Sequence, residues 1–112
     1  MRSSTLARAR PYPKVVRVSN RAEAQRAAQN SGTLVLVVPG SIPKRLEMQC
    51  PCGCGELVSV NLMRASGPAW RLQVDRRGRV SVFPSVERRS GCKSHFFIEN
   101  SLAYLISPRR KV

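Results

Sequence analysis

The run Cys50-Pro51-Cys52-Gly53-Cys54-Gly55 places three thiols within five residues, and a fourth, Cys92, follows 38 residues after Cys54. Proline and glycine between the thiols permit the tight turns that aim several sulfurs at one centre. Four thiolates are a preferred shell for a tetrahedral ion at about 2.3 Å, and zinc is the first expectation for such a set, with an iron–sulfur centre second. Two disulfides or free thiols are the competing readings. Disulfides are rare in the cytosol, and clustered free thiols are reactive, so a structural zinc on Cys50, Cys52, Cys54 and Cys92 is expected. Cys92-x-x-His95 also has zinc-ligand spacing, so His95 is an alternative ligand; four thiolates already close a structural site and would leave it free.

A chain of 112 residues has room for one domain, and a core of that size gains from a metal cross-link. The organisation expected is a basic arm over residues 1–13, flexible and rich in arginine, a single zinc-stabilised domain over residues 14–107, and a basic tail over residues 108–112. No segment has the apolar length of a membrane span or the apolar core of a secretory signal, so no membrane role and a cytoplasmic location are expected.

The fold class read from the pattern is mainly β, a small α+β domain. It comprises an antiparallel sheet or meander, one short helix and a four-cysteine zinc knuckle. Residues 15–19 suit a strand, and Ser19 or Asn20 can cap a helix over residues 21–29. Residues 33–38 form an apolar, β-branched run too short for a helix, which reads as a strand buried on both faces. Residues 45–49 form a second core strand that leads straight into the cysteine run. Residues 56–62, 70–75 and 79–83 alternate as strands of a meander, with Arg76-Arg77-Gly78 as a turn. Residues 95–99 and 102–106 add two strands joined at Asn100-Ser101.

Phe83-Pro84-Ser85 ends one of these strands and His95 opens the next, with Cys92 between them. A serine hydroxyl near an imidazole is the minimum for acyl transfer, which makes Ser85 a candidate nucleophile and His95 its general base; Ser94 competes for the nucleophile's place. Backbone amides in the segment between Ser85 and Cys92 are the expected oxyanion donors. No carboxylate is obviously placed to orient His95. Glu99 lies about 13 Å along the same strand face, and Glu87 or Asp75 could approach only through the fold.

The net charge of +14, from 20 Lys and Arg against 6 Asp and Glu, suits an acidic partner or a polyanion. Arginine clusters at residues 76–79 and 88–89 favour nucleic acid, whereas only six aromatic residues leave little for base stacking. A non-catalytic basic zinc module, binding nucleic acid or another protein, is therefore the alternative to an enzyme. Trp70 reads as a core residue before an interface residue.

The order of the cysteine run, Trp70, Pro84-Ser85-Val86 and Cys92-Lys93-Ser94-His95-Phe96 resembles the small BubE-like proteins of bacteria over roughly residues 45–106. That family is encoded beside ubiquitin-like proteins and their activating and conjugating enzymes. The resemblance implies a serine-type, deubiquitinase-like peptidase that trims or removes a bacterial ubiquitin-like protein. It assigns the four cysteines to zinc and makes Ser85 and His95 the reactive pair; the ubiquitin-like protein, with its activating and conjugating enzymes, becomes the expected partner.

Overall fold

The computed structural model describes residues 6–89 and 91–106. The tail expected over residues 108–112 and the first five residues of the expected arm lie outside the described residues. Two sheets stack with a helix outside one of them. Strands β2 (Lys14–Val18), β3 (Thr33–Val37), β4 (Arg45–Gln49) and β5 (Leu57–Asn61) form a four-stranded sheet in that spatial order. Strands β1 (Leu6–Pro11), β6 (Arg71–Val74), β7 (Val80–Glu87), β8 (His95–Glu99) and β9 (Leu102–Ile106) form a five-stranded antiparallel sheet in the order β1-β9-β8-β7-β6. A single α-helix, α1 (Arg21–Ala28), and a 3-10 turn at Arg64–Ser66 complete the described elements. Among the described residues no helix is long and apolar enough to cross a membrane.

Residue parity in β3 explains why all five of its residues are buried. Leu34 and Leu36 face the five-stranded sheet and join Leu46, Met48, Val58 and Val60 against Val80, Val82, Val86, Phe96 and Ile98. Val35 and Val37 face the other way, onto Ala24 and Ala28 of α1. A strand between a sheet and a helix has no solvent face, so it carries an unbroken apolar run. The helix begins where expected. Asn20 Oδ1 accepts from the Glu23 amide at 2.9 Å, and Glu23 accepts from the Ser19 amide at 3.0 Å, a reciprocal cap.

The mainly β class with one short helix is as expected, but the meander is divided. β5 and β6 do not pair; they belong to different sheets. Asn61 shapes the crossover, donating from its amide to the Met63 and Pro68 carbonyls and accepting from the Met63 amide. β2 and β3 pair in parallel, an arrangement that α1 makes possible as the crossover between them. The two hairpins of the larger sheet follow their turn residues. Asn100 and Ser101 both have positive φ, 54° and 62°, as a two-residue hairpin requires. Asp75 Oδ1 accepts from the amides of Arg77 and Arg79, which holds its carboxyl below the usual carboxylate range.

Order begins earlier than Lys14. Residues 6–11 of the expected arm are strand β1, paired along β9. Tyr12 then enters the core at 4% exposure and donates its hydroxyl to the Gln49 carbonyl at 2.6 Å; burial raises the pKa of that hydroxyl, keeping it a donor. Arginine-rich composition hides this strand, and Tyr12, the residue that follows it, anchors its end. Replacing Tyr12 by Ala should cost about 3 kcal/mol or more, and Tyr12→Phe about 1 kcal/mol, because the latter removes only the bond to Gln49. Urea denaturation midpoints measure both; equal midpoints for wild type and Tyr12→Ala would mean that this segment does not pack.

Candidate metal knuckle and serine–histidine pair

The cysteine run starts where β4 ends. The Cys50 amide donates to the Glu56 carbonyl at 2.8 Å, closing a tight loop, and the Gly53 amide returns to the Cys50 carbonyl at 3.1 Å. Gly53 and Gly55 take φ of 93° and 88°, a region that disfavours any side chain, so the glycines of the motif are demanded by the turn. Cys92 arrives from the connection between β7 and β8. All four sulfurs then lie within 4.8 Å of one another, with Cys50 Sγ 3.6 Å from both Cys52 Sγ and Cys92 Sγ. A tetrahedron with arms of about 2.3 Å has edges of about 3.8 Å, so the donor set fits a four-thiolate metal ion. His95 does not belong to this group.

Second partners prepare the thiols for that role. Cys50 is buried, which pushes its thiol up to about 12 and means that a metal would have to displace its proton. Cys92 is lowered to about 6, chiefly by the Ser94 hydroxyl 3.0 Å away. Ser94 thereby hydrogen-bonds the cysteines, and the hydroxyl at His95 is that of Ser85.

Arg88, at the end of β7, was grouped by sequence with a basic patch. Its guanidinium instead lies 3.3 Å from Cys92 Sγ, 3.9 Å from Cys54 Sγ and 2.9 Å from Glu56 Oε1. It screens the negative charge of the cluster and ties it to the loop that made it. The spacing Arg88-x-x-x-Cys92 was the only sequence trace of this role.

Ser85 and His95 meet between β7 and β8: Ser85 Oγ lies 2.8 Å from His95 Nε2. The local cause is an irregularity in β7. Val82 pairs with Ile98 and Val86 with Phe96, so three residues, Phe83, Pro84 and Ser85, oppose Phe97 alone. Such a bulge bends a strand and re-aims its side chains. Sequence reading ended the strand here; in fact β7 continues to Glu87, and Ser85 stands within it rather than in a loop. The Trp70 indole donates to the Ser85 carbonyl at 3.0 Å, fixing the bulge from the side of β6.

The expected oxyanion donors are fewer than supposed, since the Arg88 amide already donates to the Ser94 carbonyl at 2.8 Å. Of the carboxylates, Glu87 is paired with His95 in strand register, and Asp75 is committed to the hairpin tip. No carboxylate hydrogen-bonds His95 among the described residues.

A cleft of about 580 Å³ opens between the β5–β6 crossover, β6 and the bulge of β7, with Pro84, the residue before Ser85, in its wall. Leu62, Trp70, Leu72, Phe83 and Pro84 give it apolar walls, and Arg64 and Arg71 stand at it. Trp70 is thus both partly packed on the core and partly a cleft wall.

Residues 19–104 match the family described as bacterial ubiquitination-like system serine protease (BubE). The match takes in α1 and β3, upstream of the segment from residue 45 that carried the motif resemblance. No curated protein and no solved structure matches the chain. Since the matched span includes the cysteine run, Ser85 and His95 and covers most of the sequence, the chain belongs to the BubE family.

Proposed function

We propose that this protein is a serine peptidase that processes or deconjugates a bacterial ubiquitin-like protein, with Ser85 as nucleophile and His95 as general base. The observation that carries this reading is the 2.8 Å approach of Ser85 Oγ to His95 Nε2; a cleft whose wall includes Pro84, the residue before Ser85, supports it. The family description supplies the reaction class and the system.

The reaction requires His95 Nε2 to be unprotonated at the start, with the ring proton on Nδ1. Ser85 Oγ attacks the scissile carbonyl carbon as its proton passes to Nε2. The tetrahedral intermediate collapses, the carbon–nitrogen bond breaks, and the leaving amine takes the proton from Nε2. Water then attacks the acyl ester, again giving its proton to Nε2; the released Ser85 oxygen recovers that proton and the carboxylate product leaves.

The four cysteines would hold a structural zinc, which supplies a cross-link at a closed thiolate site. Cys92 and Arg88 lie between Ser85 and His95 in sequence, so the knuckle sets the separation of β7 and β8 at their catalytic ends. The expected partners are the ubiquitin-like protein and its activating and conjugating enzymes.

Cleavage of a purified ubiquitin-like protein bearing a carboxy-terminal extension tests the reading. Ser85→Ala and His95→Ala, each folded and with wild-type metal content, should each lose roughly a thousandfold or more in rate. An unchanged rate in Ser85→Ala removes the mechanism. A folded wild type that cleaves nothing favours the non-catalytic basic module, whose nucleic-acid binding would weaken steeply with salt.

For the metal, one zinc per chain is expected, with loss of that zinc and of cooperative unfolding in Cys92→Ser. Because the Cys50 thiol is raised to about 12, zinc uptake at neutral pH must release its proton, so affinity falls as pH falls. Competition with a metallochromic dye between pH 8 and pH 6, on the order of the two-unit window in which thiols compete with zinc, measures this. An affinity indifferent to pH would exclude the thiols as ligands.

A further inference from the structure

Three arginines form ion pairs among the described residues: Arg21 with Glu47, Arg79 with Asp75, and Arg88 with Glu56. Among the arginines outside those pairs, Arg64 and Arg71 share one cleft. No acidic residue lines that cleft, whose wall includes Pro84, and neither arginine forms an ion pair among the described residues. The Arg71 guanidinium lies 6.0 Å from the centre of the Phe83 ring, a cation–π arrangement that holds it over the cleft wall.

The cleft adjoins the backbone of the nucleophile. Pro84 is part of its wall and the next residue is Ser85; Trp70, another wall, donates to the Ser85 carbonyl. Arg71 is also the first residue of β6, the edge strand of its sheet, where an extended chain can find backbone partners. A substrate advances about 3.3 Å per residue when extended, so side chains within a few residues of a scissile bond at Ser85 reach this cleft.

We infer that Arg64 and Arg71 form a subsite that selects an aspartate or glutamate side chain in the extended tail of the substrate. This rests on the peptidase reading above and narrows its substrate class. Apolar walls lower the dielectric around the carboxylate, and two guanidinium groups supply the opposing charge, so a neutral amide of the same shape is bound less well and a lysine is repelled.

The test uses the folded Ser85→Ala protein and its sole tryptophan, Trp70, as a fluorescent reporter inside the cleft. The probes are short acetylated and amidated peptides of Gly, Ala and Val, with a single Glu stepped along the chain, and matching Gln and Lys series. At one position Glu should bind about tenfold more tightly than Gln, and added salt should reduce the difference. Arg64→Glu and Arg71→Glu, both at exposed positions, should abolish the Glu preference and favour Lys.

The wild-type protein should rank the same peptides identically in kcat/KM, with the change carried by KM. Equal binding of Glu and Gln at every position, or a preference that survives both charge reversals, overturns the subsite. So does tighter binding of the non-amidated Gln peptide than of any Glu peptide, which would assign the arginines to a terminal carboxylate. If wild type cleaves the panel without regard to charge, the subsite falls and the peptidase reading stands. If it cleaves nothing while Ser85→Ala binds Glu peptides through these arginines, the subsite stands and the peptidase reading falls.

Discussion

Convergence of four sulfurs within 4.8 Å is the constraint on which the rest of the molecule depends. Three of them follow β4 of one sheet, and the fourth belongs to the connection between β7 and β8 of the other. A metal ion on these sulfurs would hold the two layers by more than the apolar surface between them, which matters in a chain whose core is small. Concentrating thiolates requires balancing charge. Arg88 provides it from the residue after β7, and Arg10 lies close enough that a side chain at Gly53 would meet its guanidinium at 3.0 Å. The same residues that balance the cluster thus bring the end of β7 against the start of β8, where Ser85 and His95 stand.

The elements of the fold were legible wherever burial leaves a period in the residues. Thr33–Val37 could be read as a strand with two buried faces because no polar residue interrupts it, and the cap at Asn20 was visible in the residues that form it. Pairing was not legible. Nothing in the alternation of β5 and β6 says that they part into different sheets, since each has one apolar face in either arrangement. That division rests on the crossover organised by Asn61, and a lone asparagine gives no such signal. β1 was missed because its arginines resemble a solvated tail, and Tyr12 was a single residue against that composition.

The candidate site divides in the same way. The knuckle was legible because metal ligation restricts residue type and spacing together, and the glycine positions agree with its turns. Ser85 and His95 were legible as a pair but not as geometry, because the bulge that aims the serine depends on pairing with β8. Arg88 was misplaced by charge alone. The cleft was invisible to a linear reading: its walls come from the end of β5, the crossover, β6 and the middle of β7.

Pairing of β1 with β9 has a consequence for how such a chain matures. The partner of the first strand is the last one described, so loop closure spans nearly the whole sequence. During synthesis from the amino end, β1 has no ladder partner until β9 emerges, after the knuckle and both residues of the pair have been made. Tyr12 can anchor to the Gln49 carbonyl earlier, which would park the incoming segment beside the cysteine run while its strand partner is still being made. Completion of the sheet then comes late, and a nascent chain with its cysteines gathered would still lack the β1–β9 ladder at the edge of the sheet.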